Sequence, residues 1–599
     1  MATAEAVAEG TRGRVERLLS EGVRLDAEKL VYVAVIVLAL ITRFYGLGQR
    51  VMSHDETTHV YYSWNLFRGL GFRHDPLMHG PLQFHLWALS YFLFGVNDAT
   101  ARLPDAVMGV IAVGLMWAFR RWLGKVGALV AAGLMLVSPY MLYYSRYARE
   151  DAFAIVAGLL MMWAVLSYMD TRQSRWLYLL AASLALHFAI KETSYIYSAE
   201  LLLFLGIWFV WQVLHRPWDR RRDKVLFLGG MIVAAAGTAA ALAFFMRDVV
   251  GATLALKEER ELITSPLNGM VSLLGLLLAG LGAIIVVAAL ISSFGGRLRT
   301  EFPSLDLLVV SGSMIITQLS AVFLPVQTIA SYGQTDNPQT LVGPEAIQRL
   351  WLGLPLLLLI AAAAGLAWDW RRWLTAAGVF AAIYVTFYTT LFTHAMGLAT
   401  GAIGSLAYWL GQQGVSRGSQ PWYYYLALQI PVYEFLPAIG AIIAAGIGLV
   451  GRKRQRVSDT PATTGPVAGA TRVDPRLPLV FLGYWAVASL LAFSYAGEKM
   501  PWLTVHVALP LILVAGWGIG RLLESVDWRG LWVRRGWLVA ALLLLFLLAA
   551  ARTLGYLLGP TPPFQGVLLE ELDVTLGFLT SLGVAVAAAI ALFVVGRGW

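Results

Sequence analysis

Apolar runs of roughly 18 to 25 residues, separated by short polar or charged breaks, recur along this chain from Leu30 to its C-terminus. A helix of that length crosses a hydrocarbon core of about 30 Å. The runs fall at 30–48, 104–119, 125–144, 150–169, 175–190, 195–214, 225–246, 270–293, 305–329, 350–368, 373–396, 426–450, 478–496, 501–520, 534–558 and 574–596. They predict an all-α polytopic membrane protein of about sixteen spanning helices. One further piece, LQFHLWALSYFLFG at 82–95, is short, carries His85 and follows Gly80-Pro81.

Charge decides how that piece is read. If 82–95 crossed the membrane, the basic N-terminal stretch and almost every later basic cluster would lie on opposite sides. As an interfacial helix it leaves one compartment with the N-terminus, Arg120/Arg121/Lys125, Arg172/Arg175, Arg216 to Lys224, Arg297/Arg299, Arg371/Arg372, Arg452 to Arg456 and Arg529 to Arg535. That compartment is the cytoplasm, in a cell (inner, cytoplasmic) membrane, and the loops between pairs of helices on the other face are extracytoplasmic. Four segments are expected: a polar cytoplasmic segment at 1–29, ahead of a signal anchor, and a transmembrane core at 30–450 with a first outer loop at 46–103. A flexible Pro-, Gly- and Thr-rich cytoplasmic linker at 451–476 and C-terminal transmembrane helices at 477–599 follow.

Composition agrees with the pattern: 58% of the 599 residues are hydrophobic and 14% charged. The net charge of +9 is carried by short clusters between apolar runs, so it reads as topology bias and not as a nucleic-acid surface. Cysteine is absent, which excludes disulfide and thiolate chemistry.

The first outer loop opens SHDETTHVYYSWNLFRGLGFRHDPLMHGP. Thr57, Val60, Tyr61, Trp64 and Phe67 fall at helical spacing, an aromatic stripe suited to the headgroup level. Asp55 and Glu56 stand at its start as candidate catalytic acids, with an ordinary helix cap as the alternative. Incomplete solvation at the membrane surface is expected to raise such a pair toward the general-base range. His74, His79 and His85 are irregularly spaced, which suits interfacial hydrogen bonding better than a metal cluster.

YYSRYARED places Arg146, Arg149, Glu150 and Asp151 at the junction of two spans, where two guanidiniums can hold a phosphate and the carboxylates can orient them. Lys191-Glu192 and Glu498-Lys499 sit almost directly between apolar helices, so each is a site pair or a structural ion pair. Arg417 and Trp422, in GQQGVSRGSQPWYYY, could cover a sugar or headgroup. The run KEERE at 257–261 reads as a solvated helix.

Transfer of a sugar from a polyprenyl phosphate needs a base for the acceptor hydroxyl and cations for the departing phosphate. Asp55 fits the base, with Glu56 assisting. Arg146, Arg149, Lys191 and Lys499 fit the phosphate, and His59, His79, Glu150, Asp151, Glu192, Arg417, Trp422 and Glu498 fit the surrounding substrate contacts. No acid spacing demands a cofactor, and a divalent cation (Mg or Mn) is the one left open. Direct displacement by a single base predicts inversion.

The ordered set HDETTHVYYSWNLFRG, HDPLMHGPL, ARLP, YYSRYARED, KET, SQPWYYY and GEKMPWL resembles the C-type membrane glycosyltransferases. Within them it resembles the prokaryotic flippase-activity-associated family related to dolichyl-phosphate-mannose protein mannosyltransferases. The resemblance runs from the first helix to about Gly520. It implies a C-type glycosyltransferase-like fold, a catalytic acid at Asp55, interfacial helices, and a lipid-phosphate-sugar donor with a glycan or protein acceptor. Two alternatives use the same charges: a lipid-linked glycan flippase or transporter, and a noncatalytic partner in surface-glycan assembly.

Overall fold

The computed structural model describes residues 26–257, 266–332, 344–413, 420–457, 476–565 and 568–596. They form helices and connecting loops, with no β-strand among the described residues. The chain divides into two compact units, Met1–Gly520 and Arg521–Trp599.

The first unit begins with α1 (Ala27–Phe44), whose N-terminus is capped by Asp26 accepting from the Lys29 amide at 2.9 Å. Two short helices follow, α2 (His54–Phe67) and α3 (Leu82–Phe94), and then α4 (Asp98–Leu115). The 13 residues of α3 rise about 20 Å, too little to cross the apolar core. It packs against α2 and α4 instead, as the charge pattern requires. On α2, His59, Ser63 and Glu56 are buried while Tyr61 is 55% exposed and Val60, Trp64 and Phe67 are half-buried, so the aromatic stripe lies at the edge between the packed face and the surface.

The core continues through α5 (Lys125–Val137), α6 (Asp151–Thr171), α7 (Ser174–Phe188) and α8 (Thr193–Leu214). Nearly all of α6 is buried, which makes it the central helix of the unit. The long pair α9 (Arg221–Lys257) and α10 (Pro266–Phe294) packs through glycines: a Cβ on Gly237 would stand 2.5 Å from the Gly275 carbonyl oxygen. Next come α11 (Pro303–Ile316) and α12 (Pro344–Tyr388), the latter broken at Asp369, whose φ of −160° and ψ of 98° leave the helical region. Short α13 (Ser405–Gln412), then α14 (Phe435–Val457), α15 (Leu477–Tyr495) and α16 (Thr504–Ser525) complete the series.

Eleven helices among the described residues are long and apolar enough to cross a membrane, twelve if Tyr424–Tyr433 and Phe435–Leu449, bent by 106°, count as one. Each predicted apolar run lies mainly on helix, but several do not stand as separate straight spans. The run 125–144 is divided at Ser138, and 350–368 with 373–396 falls within α12. The latter run also ends early, at Tyr388, because Thr390, Leu391 and Phe392 take positive φ. Gly397 then crosses so close to the Tyr388 carbonyl oxygen, 1.6 Å from an added Cβ, that no other residue fits.

The expected linker at 451–476 begins as helix, since α14 continues to Val457, and residues 458–475 lie outside the described residues. Helix α15 and α16 as far as Gly520 belong to the first compact unit, where Phe481 meets Phe204 with ring centroids 4.7 Å apart. The expected division between 450 and 477 therefore differs from the compact one after Gly520. In the second unit, Gly536–Leu557 and Leu569–Gly596 pack together, with Thr553 Oγ1 3.0 Å from Ser581 Oγ.

The basic clusters of the first unit meet one another at one end of the bundle. Arg120 pairs with Glu28, Arg121 with Asp170 at 3.1 Å, Arg216 with Glu301 at 3.7 Å, Arg172 with the Thr300 carbonyl, and Arg299 with the Ala367 carbonyl at 2.7 Å. The loops carrying the acidic motifs lie at the other helix termini.

Candidate functional site

Four connections converge there: the start of α2, the Tyr144–Asp151 turn, the Lys191-Glu192 turn between α7 and α8, and the turn between α15 and α16. Ser53 caps α2, and the reciprocal bond from its own amide to Glu56 (3.1 Å) fixes the helix start. This puts Asp55 and Glu56 on different faces. Glu56 is fully buried and receives Arg102 Nε (2.7 Å), Arg50 Nη2 (2.7 Å) and the Ala148 amide (3.1 Å). Asp55 keeps 39% of its side chain exposed and accepts from Arg149 Nη1 at 2.7 Å.

The sequence pattern predicts an acidic pair shifted upward. Glu56 goes the other way: burial would raise it, but the bonds from Arg102 and from the Ser53 and Ala148 amides outweigh burial and hold it below the usual range. With both oxygens committed to guanidiniums and amides, Glu56 positions α2 and has no lone pair directed at a substrate. Its expected catalytic role is replaced by this structural one.

Around Arg149 the charges interlock. Its Nε lies 3.0 Å from Glu150 and 3.2 Å from Asp151, and its guanidinium carbon stands 3.8 Å from the centre of the Trp502 ring. Lys191 Nζ reaches Glu150 at 2.7 Å and Asp151 at 2.5 Å. His79 bridges Glu192 at 2.5 Å and Glu150 at 3.4 Å. Behind them His506 Nε2 stands 3.6 Å from Asp151, and Tyr197 bonds His506 Nδ1 at 3.1 Å.

These neighbours set the protonation states. Burial would lower Lys191 and Arg149, but the carboxylates of Glu150 and Asp151 outweigh it and raise both. Burial would raise Glu150, which Arg149 and Lys191 hold well below the ordinary range. His79, which burial alone would lower, is raised by Glu150 and Glu192. At His59 burial outweighs the help from Glu150 and lowers it to about 4, so it is a neutral ring stacked on Trp87.

A glycine brings His79 to Glu192. The Gly80 amide donates to the Ile190 carbonyl at 3.0 Å, and a Cβ on Gly80 would lie 2.2 Å from the Ala189 carbonyl oxygen. The loop before α3 can therefore lie directly on the turn between α7 and α8.

A cavity of about 430 Å³ opens over this cluster, lined among others by Asp55, His59, His79, Arg149, Lys191, Glu192 and Glu498. Several expected residues are elsewhere. Arg146 donates to the Thr42 carbonyl at 2.5 Å, at the end of α1, and does not line the cavity. Lys499 turns to the Ala496 carbonyl at 2.9 Å, while its neighbour Glu498 faces the cavity. Trp422 is 69% exposed and outside the lining, and Arg417 lies outside the described residues. Glu150 and Asp151 sit behind the lining and hold its cations.

The sequence reading did not select Arg102, Trp502, His506, Trp409 or Gln412. Arg102 and Trp502 lay inside noted motifs, ARLP and GEKMPWL, but nothing in the spacing distinguished them from boundary residues. His74 and His85 are bonded separately, to Thr400 and to the Pro81 carbonyl, both at 2.8 Å. Among the described residues no group of three or more His, Asp or Glu side chains is arranged to hold a metal ion.

Residues 78–248, which carry His79, Arg149, Glu150, Asp151, Lys191 and Glu192, match one family model: dolichyl-phosphate-mannose-protein mannosyltransferase. Over that stretch the chain is similar to this mannosyltransferase family. The resemblance to C-type membrane glycosyltransferases drawn from the motifs is borne out there. Polyprenol-phosphate-mannose–protein mannosyltransferases from two strains of Mycolicibacterium smegmatis are 31% identical to it over 134 residues. That match spans 20% of this chain and 26% of the relatives, about a quarter of their length. ArnT from Cupriavidus metallidurans bound to undecaprenyl phosphate aligns with 96% of this chain and 72% of its own, at 17% identity and a TM-score of 0.41. Oligosaccharyltransferase AglB from Archaeoglobus fulgidus, in complex with an inhibitory peptide and a dolichol-phosphate, covers 95% of this chain and 56% of its own, at 13% identity and a TM-score of 0.36. The matched segment ends before the turn bearing Glu498 and Trp502 and starts after Asp55, so the cavity is completed by residues outside it.

Proposed function

We propose that this chain is an integral-membrane glycosyltransferase that moves a sugar from a polyprenyl phosphate, of dolichyl or undecaprenyl type, to an acceptor hydroxyl on the extracytoplasmic face. One observation carries the reading: a partly exposed carboxylate, Asp55, is paired with a buried guanidinium, Arg149, and both line one cavity with Lys191.

In this reading the donor phosphate binds at Arg149 and Lys191, both already held in place by Glu150 and Asp151. Its charge competes with Asp55 for Arg149 Nη1 and leaves the carboxylate available to the acceptor. Asp55 takes the proton of the acceptor hydroxyl as that oxygen attacks the anomeric carbon, and the sugar–phosphate bond breaks on the opposite side. The phosphate departs as an anion stabilised by the two cations, so no general acid is needed and the anomeric configuration inverts.

The exposed Tyr61 and Tyr62 of α2 suit the lipid surface beside the cavity. The basic clusters at the opposite end of the bundle support an extracytoplasmic cavity and a cytoplasmic N-terminus. The acceptor is a protein hydroxyl, as in the names of the matched relatives, or the hydroxyl of a growing glycan.

The test is a reconstituted assay of purified protein with undecaprenyl-phosphate-mannose and serine- and threonine-containing peptides or a lipid-linked glycan. Release of undecaprenyl phosphate with an inverted mannosyl product supports the proposal. Retention of configuration refutes direct displacement. Vesicles in which lipid-linked glycan crosses the bilayer with no donor consumed replace the transferase by a flippase.

A further inference from the structure

The two sides of the cavity differ in chemistry. On one side every cation is already paired: Arg149 with Asp55, Glu150 and Asp151, Lys191 with Glu150 and Asp151, and His79 with Glu150 and Glu192. The facing wall is built from α13 and the turn between α15 and α16, which contribute Trp409, Gln412, Gln413 and Glu498, and it meets the cationic wall where Trp502 of that turn stacks on Arg149.

Glu498 differs from the other carboxylates of the site. It lines the cavity and is half-buried, yet among the described residues its side chain takes no hydrogen bond and no direct ion pair, and it acts on Arg149 only through its charge. Its position is imposed by packing. The Gly497 amide donates to Gln413 Oε1 at 3.2 Å, and a Cβ on Gly497 would stand 3.1 Å from the Gln413 carbonyl oxygen. Gln413 Nε2 in turn donates to the Trp409 carbonyl at 3.3 Å. The turn is thereby seated on the end of α13, and Glu498 shares a wall with an indole and two amides.

An anionic acceptor of this kind repels a phosphate. It suits neighbouring hydroxyl groups, which can donate to its two oxygens, while amides serve hydroxyls as donor or acceptor and an indole covers apolar ring carbons. We propose that Glu498 is the sugar-specificity residue of the site: it accepts hydrogen bonds from vicinal hydroxyls of a neutral donor hexose, while Arg149 and Lys191 take the phosphate. This inference rests on the donor reading above and deepens it by dividing the cavity into a phosphate side and a hexose side.

The experiment measures binding of three lipids to the purified full-length chain: undecaprenyl phosphate, undecaprenyl-phosphate-mannose and undecaprenyl-phosphate-glucose. Wild type is compared with Glu498→Gln and Glu498→Ala. The expected result is stronger wild-type binding of at least one sugar-bearing lipid than of the sugarless one. Glu498→Ala should weaken binding of that lipid about tenfold or more, as loss of hydrogen bonds to a charged acceptor does, with Glu498→Gln intermediate. Both variants should bind undecaprenyl phosphate at least as tightly as wild type does, since they lose a charge that repels phosphate, and this binding also shows that they are folded. Unchanged affinity for the sugar-bearing lipids, or an equal loss for all three, overturns the assignment while leaving the donor reading intact. Wild type that binds none of the three overturns both.

Discussion

Arg149 Nη1 lies 2.7 Å from Asp55 Oδ2, and the partners differ sharply in burial: 5% of the arginine side chain is exposed against 39% of the aspartate. The pair is therefore asymmetric. Removing the aspartate charge leaves Arg149 with Glu150 and Asp151, whereas removing the guanidinium leaves those two buried acids with Lys191. Asp55→Asn should lower the turnover of sugar transfer by about 10²- to 10⁴-fold, the usual range for loss of a general base, with little change in thermal midpoint. Arg149→Ala should abolish transfer and also destabilise the protein by roughly 3–5 kcal/mol. Transfer rates and melting curves of both variants in the same detergent check the contrast.

Glu56, adjacent in sequence, should behave as a structural residue. Glu56→Ala leaves the Arg102 guanidinium buried without its partner and should cost about 3–5 kcal/mol of stability. A thermal midpoint equal to that of wild type would contradict the structural role assigned to Glu56.

His79 makes stability pH-dependent. Glu150 and Glu192 face it as acids and Lys191 as an opposing cation, and its pKa is raised above the ordinary value. A raised histidine contributes stability that is fully present below its unfolded pKa of about 6.5 and is lost as pH rises through the folded value. The thermal midpoint should fall as pH is raised through that window. His79→Gln should flatten the fall, and an identical pH profile for the variant would remove His79 as its source.

Gly80→Ala places a methyl group 2.2 Å from the Ala189 carbonyl oxygen. The two loops must separate, at a cost of about 1–3 kcal/mol, and His79 moves away from Glu192. The variant should melt lower and show a smaller pH dependence than wild type, both read from melting curves over a pH series.

The sequence by itself determined the helical membrane architecture, because apolar length and basic clustering are properties of local segments and need no knowledge of their neighbours. It also marked residues 82–95 as a short apolar piece, and α3 has 13 residues. Asp55, Arg149 and Lys191 could be marked as candidates because charge beside an apolar span is unusual wherever the span packs. What only the tertiary structure decided was which of these charges meet. Asp55 and Glu56 are indistinguishable as neighbours in a motif, yet a capping bond and the arrival of Arg102, 46 residues further on, bury one and leave the other open. Arg146 and Arg149 are separated in the same way by the turn that carries them, and Glu498 and Lys499 by the seating of Gly497 on α13. Burial and partnership depend on contacts between distant segments, and those distances are set by packing.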